Sequence, residues 1–196
     1  MSAPNKEDIA RILARHEKHC ITNNPRLKPA AVLIPLFEKE GQFHVLLMKR
    51  SDDVEYHKGQ ISFPGGGQDK EDLTMRDTAL REAYEEVGLK PADAEIIGEL
   101  DDCRTATSDF RVAPFVAVIP YPYRFQTSKR EVKELLEVPL SVFLDPAGFE
   151  SRAVADSVHD GREFFVNYKG HIIWGATARM LRHFADLLRA DVGRPD

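Results

Sequence analysis

Only two cysteines, Cys20 and Cys103, occur in the 196 residues, too few for a disulfide framework and without metal-ligand spacing. Long apolar runs are missing as well. The stretches Ala30–Phe37 and Val112–Tyr121 are short and each contains proline, so neither can span a bilayer. The first residues, Met1 to Asp8, lack the apolar core of a secretory signal. Basic charge is not in excess: 27 Lys+Arg stand against 32 Asp+Glu, a net charge of −5, whereas a broad nucleic-acid-binding surface needs a basic face. Internal repeats and low-complexity tracts are also lacking. What is present is an ordinary globular composition, 42% hydrophobic and 30% charged, which argues against wholesale disorder. The expectation is a cytoplasmic chain with one domain over residues 1–196, its core at about 30–190 and a helical arm at about 6–20.

Periodicity supplies the elements. Residues 6–18 read as an amphipathic helix with Ile9, Ile12, Leu13 and His16 on one stripe. Ala30–Phe37 and Phe43–Lys49 read as strands joined by a turn at Glu40-Gly41. Gly65–Gly67 is expected to form a loop. A helix follows, with Leu73, Leu80, Ala83, Tyr84 and Val87 on its apolar stripe, Asp72 or Thr74 as N-cap and Gly88 as its stop. Strands are predicted at Glu95–Leu100 and Val112–Ile119, and a short helix around Arg130–Glu137. A hairpin is predicted from Phe164–Tyr168 and His171–Trp174 about Lys169-Gly170, and a docked helix over Ala176–Arg189. The fold class is therefore α+β, or α/β with a mixed sheet.

The helix at 72–89 breaks local rules. Glu82, Glu85 and Glu86 cluster at i, i+3 and i+4, where like charges repel, and they stand in a last turn whose dipole disfavours carboxylates. Arg81, four residues before Glu85, offsets part of this. The helix is thus expected to pack an apolar side and present an acidic one. Such a conflict points to a site, and a hard divalent cation such as Mg²⁺ or Mn²⁺ is the partner that carboxylate oxygens favour. The alternative is a solvated, glutamate-rich surface. The glycines directly upstream strengthen the first reading, because they let backbone approach a ligand closely.

These residues resemble the Nudix hydrolases. The family box is Gly, five residues, Glu, seven residues, Arg-Glu, an aliphatic residue, one residue, Glu-Glu, one residue, Gly and an aliphatic residue. From Gly67 the sequence supplies Arg81-Glu82-Ala83-Tyr84-Glu85-Glu86-Val87-Gly88-Leu89 in register. The departure is Leu73, which takes the place of the first Glu and, seven residues before Leu80, is read as extending the apolar stripe. Asp72 or Asp69 is the candidate substitute carboxylate. The resemblance implies a mixed sheet between helices, an α/β/α sandwich, and hydrolysis of a nucleoside diphosphate linked to another moiety. Leu46 to Ser51 and Gly59 to Gly66 further resemble the coenzyme A diphosphatase branch. So do Thr105 to Val116, Glu131-Val132, Glu137 to Leu140, and Ile173-Trp174-Gly175. Met48 and Glu55 replace the Thr and Arg usual there; the lost positive charge at Glu55 bears on substrate more than on chemistry.

Together these readings predict metal-assisted hydrolysis of coenzyme A. Glu82, Glu85, Glu86 and a backbone carbonyl near Gly66 would hold Mg²⁺ or Mn²⁺, and Arg81 would orient the glutamates by ion pairing, a direct phosphate contact being the alternative. A helix glutamate or Glu131 would serve as general base. Arg50, Lys49, Gln60, Ser62, Phe63, Gly65 and Gly66 are the expected substrate contacts, and Phe110 is a further candidate. The histidines are scattered, and His57, within the branch signature, receives no role. Another nucleoside diphosphate derivative (ADP-ribose, NADH or a nucleotide sugar) is the alternative substrate. A Nudix-like binding module without turnover is the alternative class. No nucleic acid or membrane partner is expected, and the oligomeric state is not readable.

Overall fold

The computed structural model describes residues 4–22, 24–52, 58–106, 108–153 and 161–192. Glu55 and His57 therefore lie outside the described residues. In chain order the elements are α1 (Lys6–Arg15), β1 (Lys28–Lys39), β2 (Gln42–Arg50), β3 (Ile61–Ser62), β4 (Gly65–Gly67) and α2 (Met75–Val87). There follow β5 (Glu95–Glu99), β6 (Cys103–Arg104), β7 (Phe110–Val118), β8 (Val132–Pro139) and α3 (Leu140–Leu144). The chain ends with β9 (Glu150–Ala153), β10 (Arg162–Tyr168), β11 (His171–Trp174) and α4 (Gly175–Val192).

The main sheet runs β3-β2-β1-β7-β5, with β4 added to β1, β6 to β7 and β8 to β2. It is mixed, because β1 pairs parallel with β7 but antiparallel with β2 and β4. A smaller antiparallel sheet, β11-β10-β9, contains the hairpin expected at Lys169-Gly170. Strand alternation then builds two cores. In β1, Ala30, Ile34 and Leu36 face one side, while Ala31, Leu33 and Phe37 face the other. The first side receives Ile9, Ile12 and Leu13 of α1, Phe143 of α3, and Leu181, Phe184 and Leu188 of α4. The second receives Ala79, Ala83 and Val87 of α2. Helices thus cover both faces of a mixed sheet, an α+β arrangement of the expected α/β/α kind. Helix α1 docks on that core through Ile9, which is fully buried.

Five expectations need correction. Gly65–Gly67 is a strand rather than a loop, registered on Val32, Ala31 and Ala30 of β1. Glycine weakens a strand in isolation, but here an existing edge supplies the hydrogen bonds. The segment predicted as helix at Arg130–Glu137 is β8, paired along β2 from His44 to Arg50. Its glutamates at 131, 134 and 137 imitate a helical spacing, and the available partner strand decides otherwise. Leu73 does not join the α2 stripe: Thr74 is the N-cap, so Leu73 precedes the helix and is 91% exposed. Tyr84 is exposed as well, and the stripe that is buried on α2 is Ala79, Ala83, Glu86 and Val87. Glu86 is therefore on the packed side of the helix, not on a face presented to solvent.

Candidate active site

Helix α2 is fixed at both ends. Thr74 and Asp77 form a reciprocal capping box, and Gly88 closes the helix in the left-handed conformation at φ 71°, which favours glycine. The segment beyond is fastened to that end: the Gln126 N–H donates to the Val87 carbonyl at 3.0 Å and the Ser128 N–H to the Glu86 carbonyl at 2.8 Å. The Glu131 N–H then donates to the Ser128 carbonyl at 3.0 Å. This stitching brings the Glu131 carboxylate into electrostatic range of both Glu82 and Glu86.

Arg81 is the hub of the acidic turn. Its Nε and Nη2 donate to the two oxygens of Asp72 at 2.9 Å each, and Nη1 donates to Glu82 Oε1 at 2.9 Å and Glu85 Oε2 at 3.2 Å. Nη2 also donates to the Gly67 carbonyl at 3.0 Å. A guanidinium has five N–H groups, so these contacts engage all of them and leave none for a phosphate. Asp72, whose side chain is only 5% exposed, also accepts from Thr78 Oγ1 and from the Asp69 N–H. The Arg81 guanidinium holds the Asp72 carboxyl down at about 2. Asp72 thus carries a negative charge within the box, next to Leu73, although its work is to hold Arg81.

Glu86 is 1% exposed. Its Oε2 accepts the Gly65 N–H at 2.9 Å, and its Oε1 accepts from Arg50 Nη1 at 3.3 Å. Burial pushes its carboxyl up to about 8, and the Glu82 and Glu131 charges push the same way against those two donors. Burial also raises the Glu82 carboxyl. Gly66 faces Glu82 so closely that a Cβ there would stand 2.5 Å from Glu82 Oε1. A buried carboxylate with too little positive charge around it, a second carboxylate against bare backbone, and Glu85 at the rim make up an oxygen donor set suited to a divalent ion.

Beside this cluster lies a cavity of about 560 Å³, within the span of roughly 300–1,000 Å³ usual for small-molecule sites. Of the expected substrate contacts, Arg50, Gln60, Ser62, Phe63, Gly65 and Gly66 line it, as does Phe110. Lys49 does not, since it precedes Arg50 on β2 and successive strand side chains alternate in direction. Met48 is fully buried on the α2 side of the sheet, so its departure from the branch signature is a matter of packing. The far wall carries Glu163, Trp174 and Arg179, with Arg179 Nη1 on the two oxygens of Glu163 at 2.9 Å each. Arg50 Nε, Ser62 Oγ and Arg179 Nε are buried and lack a hydrogen-bond partner, an arrangement that a polar ligand in the cavity would relieve.

The NUDIX domain family matches residues 27–155, more than half of the chain, and the box sits within that span. The chain is a Nudix hydrolase. It is 39% identical over 158 residues to the Nudix hydrolase NudL of Enterobacter sp. (strain 638), covering 81% of each chain. To the protein of the same name from Klebsiella pneumoniae subsp. pneumoniae it is 35% identical over 158 residues, again covering 81% of each. Among solved structures, a C. elegans Ap4A hydrolase in a binary complex superposes with a TM-score of 0.55 at 19% identity, over 84% of this chain and 99% of that one. The MutT protein of Methanosarcina mazei Go1 gives 0.53 at 18% identity, over 91% and 99%. Both likenesses concern the fold. Hydrolases of this family use divalent metal ions, and the donor set described above fits that requirement. Among the described residues, no helix is long and apolar enough to cross a membrane.

Sequence reasoning passed over the far wall of the hydrolase's cavity. Arg179 and Glu163 lie in a helix and a strand with no motif of their own. The Ile173-Trp174-Gly175 and Thr105 to Val116 resemblances were what pointed to that side of the site.

Proposed function

We propose that this hydrolase cleaves the diphosphate bond of coenzyme A or a derivative, releasing 4′-phosphopantetheine and adenosine 3′,5′-bisphosphate, in the cytoplasm and with Mg²⁺ or Mn²⁺. The observation that carries the reading is the junction of the two features above. The buried Glu86 shares Arg50 and Gly65 with the wall of the cavity, so a substrate filling the cavity meets the carboxylates at that edge.

In this reading Glu82, Glu85, Glu86 and the Gly66 carbonyl would hold the ion, and Arg81 acts as a positioning residue. A bound divalent ion supplies neutralisation of the diphosphate oxygens and acidification of the attacking water. Glu131, held by the Ser128 turn at the edge of the cluster, takes the proton from that water. Arg50 receives a phosphate oxygen, with Ser62 and Gln60 as neutral partners. Phe63 forms the apolar floor. The branch resemblance favours coenzyme A, and several of the segments that carry it line the cavity: Arg50, Gln60 to Phe63, Gly65 and Gly66, Thr105, and Trp174 with Gly175.

The test is product chromatography after incubation with coenzyme A, ADP-ribose and NADH, each with and without Mg²⁺ or Mn²⁺, with Glu86→Gln alongside. Metal-dependent release of adenosine 3′,5′-bisphosphate, lost in the variant, is the expected result. Cleavage of the other compounds alone would refute the coenzyme A assignment and retain the diphosphatase chemistry. No turnover of any of them would favour a binding role.

A further inference from the structure

Away from the glutamates, three residues far apart in sequence converge on one point. His16 is the C-cap of α1, Asp101 follows β5, and His183 lies in the middle of α4. One donor atom from each lies within 4.8 Å of the others. His16 Nε2 is 2.8 Å from Asp101 Oδ1, and the two imidazoles meet edge to face with centroids 5.3 Å apart. His183 Nε2 is buried and has no hydrogen bond, while Asp101 Oδ2 stands 3.6 Å away, beyond hydrogen-bond range. A simple histidine–aspartate pair would account for His16 and Asp101, but not for an orphaned nitrogen aimed at the second oxygen of the same carboxylate. His19 stands at the rim: its backbone N–H donates to Asp101 Oδ1 at 2.8 Å, and its exposed ring places Nδ1 3.8 Å from that atom.

We propose that His16, Asp101 and His183, with His19 at the rim, form a second metal site, selective for a borderline ion such as Zn²⁺ rather than for Mg²⁺. Imidazole nitrogen is a preferred ligand of Zn²⁺, while Mg²⁺ takes oxygen. Zn–N bonds of about 2.0–2.1 Å place tetrahedral donors about 3.4 Å apart, a spacing that falls between the observed 2.8 Å from His16 to Asp101 and the 4.8 Å limit within which all three donors lie. The ion takes the place of the proton between His16 and Asp101 and gives His183 Nε2 its missing partner. Its structural consequence is a clamp: α1, the strand β5 end and α4 become joined by coordination in addition to apolar packing. His183 lies one helical turn beyond Arg179, so the clamp also braces the helix that forms the far wall of the cavity.

The test uses the full chain stripped with EDTA and titrated with Zn²⁺ against a chromophoric chelator. Wild type, His183→Ala, His16→Ala and Glu86→Gln are compared, with metal-free melting to verify that each variant folds. The expected result is one tight Zn²⁺ equivalent in wild type and in Glu86→Gln. Both histidine variants should lose it by more than the roughly 10–100-fold that loss of an outer-shell partner costs. Co²⁺ bound in its place should give intense visible d–d bands in wild type that vanish in His183→Ala. Equal Zn²⁺ affinity in wild type and His183→Ala would overturn the proposal, as would a tight equivalent lost only in Glu86→Gln. Neither outcome depends on turnover, so the diphosphatase reading stands or falls separately.

Discussion

Glu86 offers a quantitative test, because the same burial that suits it to a cation destabilises the fold when no cation is bound. In the unfolded chain its carboxyl titrates near 4.5, and in the folded, metal-free protein at about 8. Between those values the unfolded chain has released the proton and the folded chain retains it. Folding therefore takes up a proton, and stability falls as pH rises through that window. At about 1.36 kcal/mol per unit, the loss from this one group reaches about 4 kcal/mol at pH 8 relative to pH 4.5 and below. For a chain of this size that corresponds to a fall of about 8–16 °C in Tm. Glu86→Gln keeps the shape and can still accept the Gly65 N–H, but it never ionises. Its metal-free Tm should lose that component of the pH dependence, and it should exceed wild type most at pH 8. Glu82 is raised in the same direction in both proteins, so the difference between them isolates Glu86. Adding Mg²⁺ at pH 8 should restore wild type and leave the variant unmoved. The assay is thermal melting in EDTA at pH 4.5 to 8.5, followed by Mg²⁺ titration. Parallel wild-type and variant curves across that range would refute the reasoning.

Other outcomes follow from neighbouring geometry. Gly66→Ala places a methyl against the end of the flexible Glu82 side chain, so turnover should fall at least about tenfold while the Tm stays within a few degrees, as read by steady-state kinetics beside a melt. Asp72→Asn removes the bidentate anchor of Arg81 and should cost about 10–100-fold in kcat with a weaker apparent metal affinity. Because the Asp72 carboxyl is held at about 2, its stabilisation of wild type is present above the ordinary value of 3.8 and should fade as pH drops toward 2, which acid melts of the two proteins would show. Leu73→Glu restores the family residue at a position outside the helix and exposed to solvent. It should change stability by less than about 0.5 kcal/mol by urea titration, and kcat by less than about twofold. A large gain in activity would show instead that the first carboxylate of the box contributes here.

The Nudix box was legible because its spacing is local. Arg81, Glu82, Glu85 and Glu86 lie within two turns of a single helix, and helical periodicity alone puts their carboxylates near one another. The strands β1 and β2, the hairpin β10–β11 and the helices α1 and α4 were equally legible, since each buries one face and its sequence repeats accordingly. Where local pattern and available partner disagreed, the partner prevailed. Gly65–Gly67 became a strand because β1 offered an edge, and the glutamate-rich segment after Glu131 became β8 because β2 offered the other. The apolar stripe of α2 was misread at Leu73 and Tyr84 because the Thr74 cap and the rotation of the helix against the sheet are not written in the spacing.

Sequence by itself determined the family, the two-sided hydrophobic pattern that requires helices on both faces of a mixed sheet, and the acidic turn that suits a divalent ion. Those depend on residue type and on separations of a few positions, which the chain carries before it folds. Only the tertiary structure decided the environment of each charge. It sank Glu86 and raised its carboxyl, filled every donor of Arg81, and drew Glu131 to the cluster through the Ser128 turn. It also brought Arg179 and Arg50 to one cavity and gathered His16, Asp101 and His183 from the two ends and the middle of the chain. Burial, electrostatic reach and ligand geometry are properties of distance through space, and packing alone brings residues so far apart in sequence into range.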